Sequence, residues 1–297
     1  MPKDMLIDAH QHVYYHGLSP TGVVAEMDRY GIDRAWILTW YLPPGEDVPR
    51  THAYFNPANF RPDGTHAGST LADVIRGCDQ YPGRFVAGYC PCPHEGSAPQ
   101  LFEAAYKGHG VRVCGEWSYR LLLDDPRSLE LFRKAGELGC PVVLHLDVPY
   151  LPDGQGGQAY QTYWYGGGVG PLERALQACP QTIFVGHAPG FWRYLSGDEE
   201  QETAVYPRGP VKPGGQLLRL LDTYANLWAD LSAGSGLGAL QRDLSHARQF
   251  LLRYADRLLF GRDDHGQKLQ LFLEALDLPP AVQAKLCAEN ALRLVPL

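Results

Sequence analysis

The chain has no run of apolar residues that approaches the ~20 needed for a membrane span, and its first residues lack the apolar core of a signal peptide. It also lacks any cluster of lysine and arginine, and its formal net charge is −7. Nucleic-acid binding requires a basic patch or stripe, so nucleic acid is not an expected partner. We therefore expect a cytoplasmic protein that acts on a small molecule and contacts neither membrane nor nucleic acid.

Cysteine pairs typical of a disulfide framework are missing as well. The seven cysteines are odd in number and lie mostly in apolar stretches, which indicates reduced, buried thiols in a reducing compartment. No low-complexity tract occurs, and 45% hydrophobic with 20% charged residues is typical of a globular protein. No Gly-x-Gly-x-x-Gly turn follows the first apolar run, which disfavours a dinucleotide-binding sheet.

What the sequence does contain is one pattern repeated eight times along its 297 residues. Short apolar runs alternate with amphipathic helical segments, which indicates parallel strands joined by right-handed crossovers. The predicted strands span 5–9, 34–40, 84–90, 111–117, 141–146, 181–187, 226–231 and 257–263. The predicted helices span 20–30, 68–80, 98–108, 127–138, 171–179, 214–224, 238–254 and 267–276. A closed (β/α)₈ TIM barrel and a long doubly wound sheet both use eight such units. The barrel explains the count and the length more economically, so we predict one α/β barrel domain over residues 1–297.

Residues able to bind metal or transfer protons follow the predicted strands at the end where a barrel carries its chemistry. His10 and His12 end the first strand, and because strand side chains alternate faces, both imidazoles should share a side. Later strands end in Glu116, His145, His187 and Asp263. Each residue alone has a structural explanation, such as a satisfied core histidine or an ion-pair partner. Six of them at one mouth favour a metal site.

Several of these segments resemble the amidohydrolase superfamily, and more narrowly the amidohydrolase-related group of metal-dependent TIM-barrel hydrolases and decarboxylases. The segments are Ile7–Val13, Val142–His145, Gly186–Gly190, Leu259–Asp263 and the closing stretch Glu289–Leu294. The resemblance implies a metal in the barrel mouth, bound by His10, His12, His145 and Asp263. It implies that His187 either binds a second metal or polarises water or substrate.

Two positions depart from the family pattern. Glu116 stands where many binuclear members carry a carboxylated lysine, which disfavours a second metal. We place Glu116 among the metal ligands; bridging two ions and acting as a free acid or base are the alternatives. Arg262 precedes Asp263 where the family usually has Ser or Thr, and Asp264 and His265 follow as a second acid/base pair. Alternation favours Asp263 as the residue facing the ion, because it shares a side with Gly261.

The ligand types then predict the chemistry. Imidazole and carboxylate ligands without suitably spaced cysteines suit Zn²⁺ first, and Mn²⁺ or Fe²⁺ next. Such an ion lowers the pKa of water from ~15.7 toward ~7. Asp263 is the predicted base that orients the water and then protonates the leaving group, and His187 the group that polarises the carbonyl or holds the oxyanion.

We accordingly predict a metal-dependent hydrolase that uses a metal-activated water to cleave an amide, lactone or ester bond. A non-oxidative decarboxylase (lyase) of an aromatic or unsaturated acid is one alternative, because the family's ligand set supports both reactions. A non-catalytic metal-binding barrel is the other alternative.

Aromatic residues crowd the predicted strand-to-helix loops, where they either wall a pocket for a cyclic or aromatic substrate or pack the loops against the barrel. We assign four of them to substrate binding: Trp40, Trp117, Tyr119 and Trp192.

Arg120 is predicted to pair with a substrate carboxylate as a bidentate fork. A structural ion pair with Asp124 or Asp125 is the alternative. Two insertions, about 149–170 and 193–215, are longer than ordinary connections and are candidate lids or binding loops. The apolar segment 276–297 is the candidate surface for a homodimer.

Overall fold

The computed structural model describes residues 5–198 and 202–296. It contains all eight predicted strands in the predicted order, which we label β1–β8. They are β1 (Ile7–Gln11), β2 (Arg34–Ile37), β3 (Phe85–Ala87), β4 (Cys114–Trp117), β5 (Val142–His145), β6 (Phe184–His187), β7 (Leu227–Asp230) and β8 (Leu258–Leu259). Each hydrogen-bonded strand is short because the apolar runs extend into the flanking turns.

Helices follow the strands around the outside of the sheet. They are α1 (Pro20–Tyr30), α2 (Leu71–Gln80), α3 (Ala98–His109), α4 (Pro126–Glu137), α5 (Val169–Ala178), α6 (Pro189–Trp192), α7 (Gln216–Thr223), α8 (Ala233–Gln241), α9 (Leu244–Arg253), α10 (Lys268–Ala275), α11 (Pro280–Ala284) and α12 (Asn290–Leu294). The helix predicted over 238–254 is two helices, α8 and α9. The break occurs because the Asp243 carboxylate accepts the backbone N–H of His246 at 3.0 Å and so begins a new helix as its N-cap.

The strands are parallel and follow the order of a barrel. β1–β3 form one sheet and β4–β8 form another, each in sequence order. Backbone hydrogen bonds bridge both junctions. Arg112 N–H donates to the Ala87 carbonyl (2.9 Å) before β4, and Ala9 N–H donates to the Phe260 carbonyl (2.9 Å) after β8. The predicted (β/α)₈ TIM-barrel fold is confirmed.

Alternate strand residues divide the core into two clusters. The inner cluster consists of Ile7, Ala9, Trp36, Leu38, Val113, Val143, Val185, Trp228, Leu259, Ala288, Ala291 and Val295. The outer cluster lies between strands and helices. The last three inner residues belong to the C-terminal segment, and the Asn290 amide anchors it by donating to the carbonyls of Ala255 (2.6 Å) and Leu258 (2.8 Å). Part of the apolar segment 276–296 therefore packs on its own barrel, and a homodimer through this segment stays a prediction.

Long connections lie at the end of the barrel where the strands finish. The segment after β5 contains an antiparallel hairpin that pairs Tyr150–Pro152 with Gln158–Tyr160. The segment after β2 contains a second ribbon, in which Trp40–Tyr41 pairs with Gly68–Ser69. Part of the predicted insertion 193–215 falls on residues 199–201, outside the described residues. In the described part of the chain, no helix combines the length and apolarity needed to cross a membrane.

Candidate metal centre

Five side chains from four strand ends converge at the mouth of the barrel. They are His10, His12, Glu116, His187 and Asp263. Each imidazole directs its Nε2 atom toward the two carboxylates, and the Nε2-to-oxygen separations are 3.3 to 3.9 Å. His10, His12 and His187 are fully buried, and Glu116 is almost so. The two groups of three, His10–His12–Asp263 and His10–Glu116–His187, each bring their ligand atoms within 4.8 Å of one another.

Two irregularities in strand pairing aim these residues inward. In β1 the inner positions are Ile7 and Ala9, so strict alternation would send His10 to the outer face. The register with β2 shifts between Asp8 and Gln11, which reverses that alternation just before His10. The register between β4 and β5 shifts in the same way across Glu116. Bulges of this kind re-aim side chains next to functional sites.

The seventh strand supplies a carboxylate that sequence reasoning did not single out. Asp230 ends β7, is fully buried, and accepts hydrogen bonds from Nδ1 of His10 and Nδ1 of His187, both at 2.9 Å. The Ser232 hydroxyl donates to the same carboxylate at 2.5 Å. Because a carboxylate only accepts, both neutral imidazoles must carry their proton on Nδ1 and present an Nε2 lone pair to the centre. An acid at the end of an otherwise apolar strand was the available signal.

His12 is oriented by the backbone. Its Nδ1 donates to the carbonyl of Leu38 at 2.9 Å, so the neutral ring also presents Nε2. On the opposite side, Asp263 N–H donates to the His10 carbonyl at 2.8 Å. Gly261 makes that approach possible, since a Cβ there would lie 3.1 Å from the Cβ of His10. Asp263 therefore faces the centre, and Asp264 does not join it.

The atoms at the centre have unmet bonding capacity. Nε2 of His10, Nε2 of His12, Nε2 of His187 and Oδ1 of Asp263 are buried and have no hydrogen-bond partner in the described part of the chain. Buried polar atoms are normally satisfied, and four orphaned lone-pair donors around one point fit a divalent cation. Imidazole nitrogen with carboxylate oxygen is a donor set that Zn²⁺ and Mn²⁺ accept.

The charges at the centre are strongly coupled. Burial opposes ionisation of Glu116, but His145 and His10 outweigh it and lower its pKa to about 2. The pKa of Asp263 is likewise held well below its usual range by His10, His12 and His187 against the effect of burial. The pKa of His187 is raised in return, because Asp230 and Asp263 outweigh its burial. Both carboxylates at the centre are therefore ionised at neutral pH.

A family model described as Amidohydrolase matches residues 7–297. The chain belongs to the amidohydrolase family. Family membership brings the expectation of a divalent metal site, which the geometry above fits. A search of curated proteins found no match.

Solved structures match this amidohydrolase along nearly its whole length. The uncharacterized TIM-barrel protein Bb4693 from Bordetella bronchiseptica is 15% identical, with a TM-score of 0.62 over 98% of both chains. A 2,6-dihydroxybenzoate decarboxylase in complex with 2,6-dihydroxybenzoate is 16% identical, with a TM-score of 0.60 over 100% of both chains. A Pseudomonas putida structure with a proposed 2-pyrone-4,6-dicarboxylic acid hydrolase activity is 16% identical, with a TM-score of 0.59 over 98% of this chain and 97% of that one. At these identities the likeness shows the fold, and family and neighbours together support a metal-dependent hydrolase or decarboxylase.

His145, which the family resemblance implies as a ligand, lies one contact away from the centre. Its Nδ1 is 2.8 Å from Oε1 of Glu116, and its Nε2 is 3.3 Å from Oδ2 of Asp147. Burial lowers the pKa of His145, but Glu116 and Asp147 outweigh it and raise the value to about 10. The described ring therefore binds two carboxylates and reaches the centre through Glu116.

The predicted substrate-binding aromatics divide between pocket and core. Trp40 faces the site, with its ring centroid 5.8 Å from that of His12 and 5.9 Å from that of His145. Trp117 and Tyr119 are fully buried in the outer core, so the structure does not bring them to the centre. Their rings fill space between strand and helix.

Trp192 is also almost fully buried and packs on Phe250, away from the centre. The sequence pattern could not separate these cases, because an aromatic residue after a strand suits either environment.

Arg120 makes neither of the ion pairs that its sequence neighbours suggested. Asp124 pairs with Arg174 (2.5 Å) and Asp125 pairs with Arg127 (2.9 Å). The Arg120 Nε atom is buried and has no hydrogen-bond partner in the described part of the chain. Its guanidinium lies 5.8 Å from the ring of Tyr163, on which Arg50 also stacks at 4.1 Å. Tyr163 also lines a cavity of about 400 Å³, whose wall includes Arg50 and Asp147 but not Arg120 itself.

A buried ion pair ties the two strands that carry the histidines and Asp263. Arg262 Nε donates to Oδ2 of Asp8 at 2.7 Å, and Arg262 N–H donates to Oδ1 at 2.9 Å. Both side chains are buried. The residue that departs from the family pattern therefore fixes the end of β8 against β1 at the junction between the two sheets.

Proposed function

We propose that this amidohydrolase is a metal-dependent hydrolase that cleaves an ester, lactone or amide bond in a small cyclic or aromatic carboxylate. The observation that carries the proposal is the position of Asp263. Its side chain is 13% exposed, while the side chains of His10, His12, Glu116 and His187 are 0 to 1% exposed. Asp263 is thus the carboxylate at the open side of the centre, where substrate and water arrive.

The proposed ion is held by His10, His12 and Asp263, with Glu116 and His187 completing the donor set. Zn²⁺ suits these ligands first, and Mn²⁺ next. A divalent ion at such a site lowers the pKa of water and polarises a substrate carbonyl. His145 contributes by holding the Glu116 carboxylate through its 2.8 Å contact.

Asp263 supplies the proton transfers in this proposal. The three imidazoles around it hold its pKa well below the usual range against burial, so it is ionised at neutral pH. An ionised carboxylate can take a proton from water and return it to the leaving group. Hydrolysis needs a base that takes a proton from water, and the ionised Asp263 at the open side of the centre suits that step. This electrostatic state is why we favour hydrolysis.

Arg120 is the proposed binding partner of the substrate carboxylate. Its guanidinium has no acidic partner among the described residues, and its buried Nε is unsatisfied. A guanidinium matches a carboxylate through two parallel hydrogen bonds, which gives both affinity and orientation. Trp40, beside His12 and His145, offers a flat wall for the ring of such a substrate.

The test is a screen of aromatic and cyclic lactones, esters, amides and carboxylic acids with protein whose metal content has been measured. Incorporation of ¹⁸O from labelled water into the product supports hydrolysis. Release of CO₂ without such incorporation would replace the proposal with decarboxylation. Asp263→Asn should lower kcat by ~10²-fold or more, while Asp264→Asn, one residue away and outside the centre, should leave it within about threefold.

Arg120→Lys tests the substrate class separately. It should raise KM about tenfold or more for carboxylate substrates, because lysine cannot form the bidentate fork, with little change in kcat. The matched control is Arg127→Lys, whose parent residue is an exposed arginine already paired with Asp125. Equal loss on carboxylate and uncharged substrates would assign Arg120 a structural role.

A further inference from the structure

A second cavity lies outside the metal centre. It has a volume of about 530 Å³ and is enclosed by Trp192 of α6, the segment Val205–Gly209 and one face of α8. We call it the α8 cavity. Ligand sites in proteins typically occupy ~300–1,000 Å³, so this space is large enough for a small organic molecule. None of the five residues of the metal centre lines it.

All the described charged residues that line the cavity are positive. Its described lining includes Arg193, Arg208 and Arg242 and no acidic residue, although the chain carries a net charge of −7. Arg242 Nε donates to the Gly209 carbonyl at 2.9 Å and so is anchored to the segment Val205–Gly209, while Arg193 donates to the Glu202 carbonyl, just before that segment, at 2.9 Å. Arg208 forms no ion pair with a described acidic residue. A cavity of this kind attracts an anion.

Buried polar atoms in the wall point to the same ligand. Ser235 is 4% exposed and Trp192 is 1% exposed, and neither Oγ of Ser235 nor Nε1 of Trp192 has a hydrogen-bond partner in the described part of the chain. Leaving such groups unsatisfied is costly unless a ligand pairs with them. Ser235 also lies in the first turn of α8, where the backbone amides and the helix dipole favour negative charge.

The remaining wall is apolar and flat. Trp192 and Tyr206 contribute aromatic rings, and α8 presents Gly234, Gly238 and Ala239 along its face. Side chains this small leave a smooth surface against which a planar group can lie. We propose that the α8 cavity is a second binding site, for an organic anion with a flat apolar body such as an aromatic carboxylate.

Such an anion could be the distal part of the substrate or a separate molecule. The cavity shares Pro189, Arg193, Val205 and Tyr206 with the cavity that contains Asp147, so the two spaces adjoin each other. The site itself does not depend on the metal or on the reaction, and its test can succeed even if the proposed hydrolase activity fails.

The first experiment fills the cavity. A Cβ built on Gly238 has nothing within 4 Å, so Gly238→Leu projects into open space without a clash. The melting temperature should not fall, because leucine is a better helix former than glycine. The probe is 8-anilinonaphthalene-1-sulfonate, an aromatic anion whose fluorescence rises in an apolar site, with benzoate as the competitor. We expect saturable binding in the parent protein and its loss in Gly238→Leu.

The matched control is Gly108→Leu. Gly108 is an exposed helical glycine that also has open space around its Cβ, but it lies on α3 and lines none of the cavities described above. This variant should bind the probe as the parent does. Probe binding that persists unchanged in Gly238→Leu would overturn the proposal.

The second experiment removes charge. Arg208→Gln should weaken probe binding about tenfold or more, as expected for loss of a charge-assisted contact. Arg133→Gln, at an exposed arginine of α4, should have no effect. Equal affinity in both variants would refute the anion site. With a substrate in hand, a raised KM at unchanged kcat in Gly238→Leu assigns the cavity to the distal part of the substrate, and unchanged kinetics assign it to a separate anion.

Discussion

The Asp230 carboxylate orients two imidazoles at once, and replacing it with asparagine should separate these two roles. An ionised carboxylate accepts from Nδ1 of His10 and from Nδ1 of His187. An amide has one accepting oxygen and one donating NH₂ group, so it can accept from only one of them. The other imidazole must then move its proton to Nε2, which directs an N–H at the centre in place of a lone pair.

This change should lower the affinity of the site for metal. Loss of a partner that orients a metal-binding histidine typically weakens metal affinity ~10–100-fold. Here one of the imidazoles is turned into the wrong tautomer, so we expect the upper end, about 100-fold or roughly 2.8 kcal/mol. The assay is Zn²⁺ competition against a chromophoric chelator at fixed pH, with the melting temperature of the metal-free protein recorded alongside.

Two controls make the result decisive. Ser232→Ala removes a hydroxyl that donates to Asp230 and lies 2.9 Å from Nδ1 of His187, but it leaves both Asp230–imidazole hydrogen bonds in place, so Zn²⁺ affinity should change by less than about threefold. Asp222→Asn, at a half-exposed carboxylate paired with Arg253, should have no effect. An Asp230→Asn variant that binds Zn²⁺ within about threefold of the parent would refute the assignment of the tautomers to Asp230.

Two further predictions concern stability. The folded-state pKa of His145 is raised from 6.5 to about 10, because Glu116 and Asp147 outweigh burial. Its contribution to the stability of the metal-free protein is therefore complete below pH ~6.5 and is lost as the pH rises through ~10. Melting temperatures over this range should fall, and Glu116→Gln should flatten the profile. Arg262→Met leaves Asp8 buried and unpaired, so urea denaturation should show a loss of ~3–5 kcal/mol; a variant of an exposed surface arginine should lose ~0–1 kcal/mol.

The sequence predicts the barrel well because its evidence is local and repeated. Each strand is a short apolar run followed by an amphipathic helix, and parallel strands bring their carboxyl ends to one mouth. Residues at those ends must then lie near one another, whatever the details of packing. The pattern predicts that His10, His12, Glu116, His187 and Asp263 lie together. It also includes His145, which reaches the centre only through Glu116.

Alternation of side chains along the strand does not by itself explain why the histidines point inward. Alternation places His10 and His12 on the same side of β1, but the same rule places Ile7 and Ala9 on the inner side. The register shift after Asp8 resolves the conflict. A shift of one residue leaves no signature in the apolar pattern, so it could not be predicted from the sequence.

Asp230 and the aromatic residues show a second limit of prediction from the sequence. An acid at the end of β7 is as compatible with a solvated turn as with a buried partner for two imidazoles. Trp117 and Trp40 both follow buried strands, yet one fills the layer beneath the helices and the other faces the site. Such differences are set by which neighbours complete the packing, and those neighbours come from distant parts of the chain.

The centre takes its side chains from both sheets. His10 and His12 come from the three-stranded sheet, and Glu116, His187 and Asp263 come from the five-stranded one. An ion bound there would link the two sheets at the junction where the Arg262–Asp8 ion pair and backbone hydrogen bonds already join β8 to β1. The set also runs from residue 10 to residue 263, so it closes a loop of about 250 residues. The complete ligand set therefore cannot form until residue 263 has been synthesised.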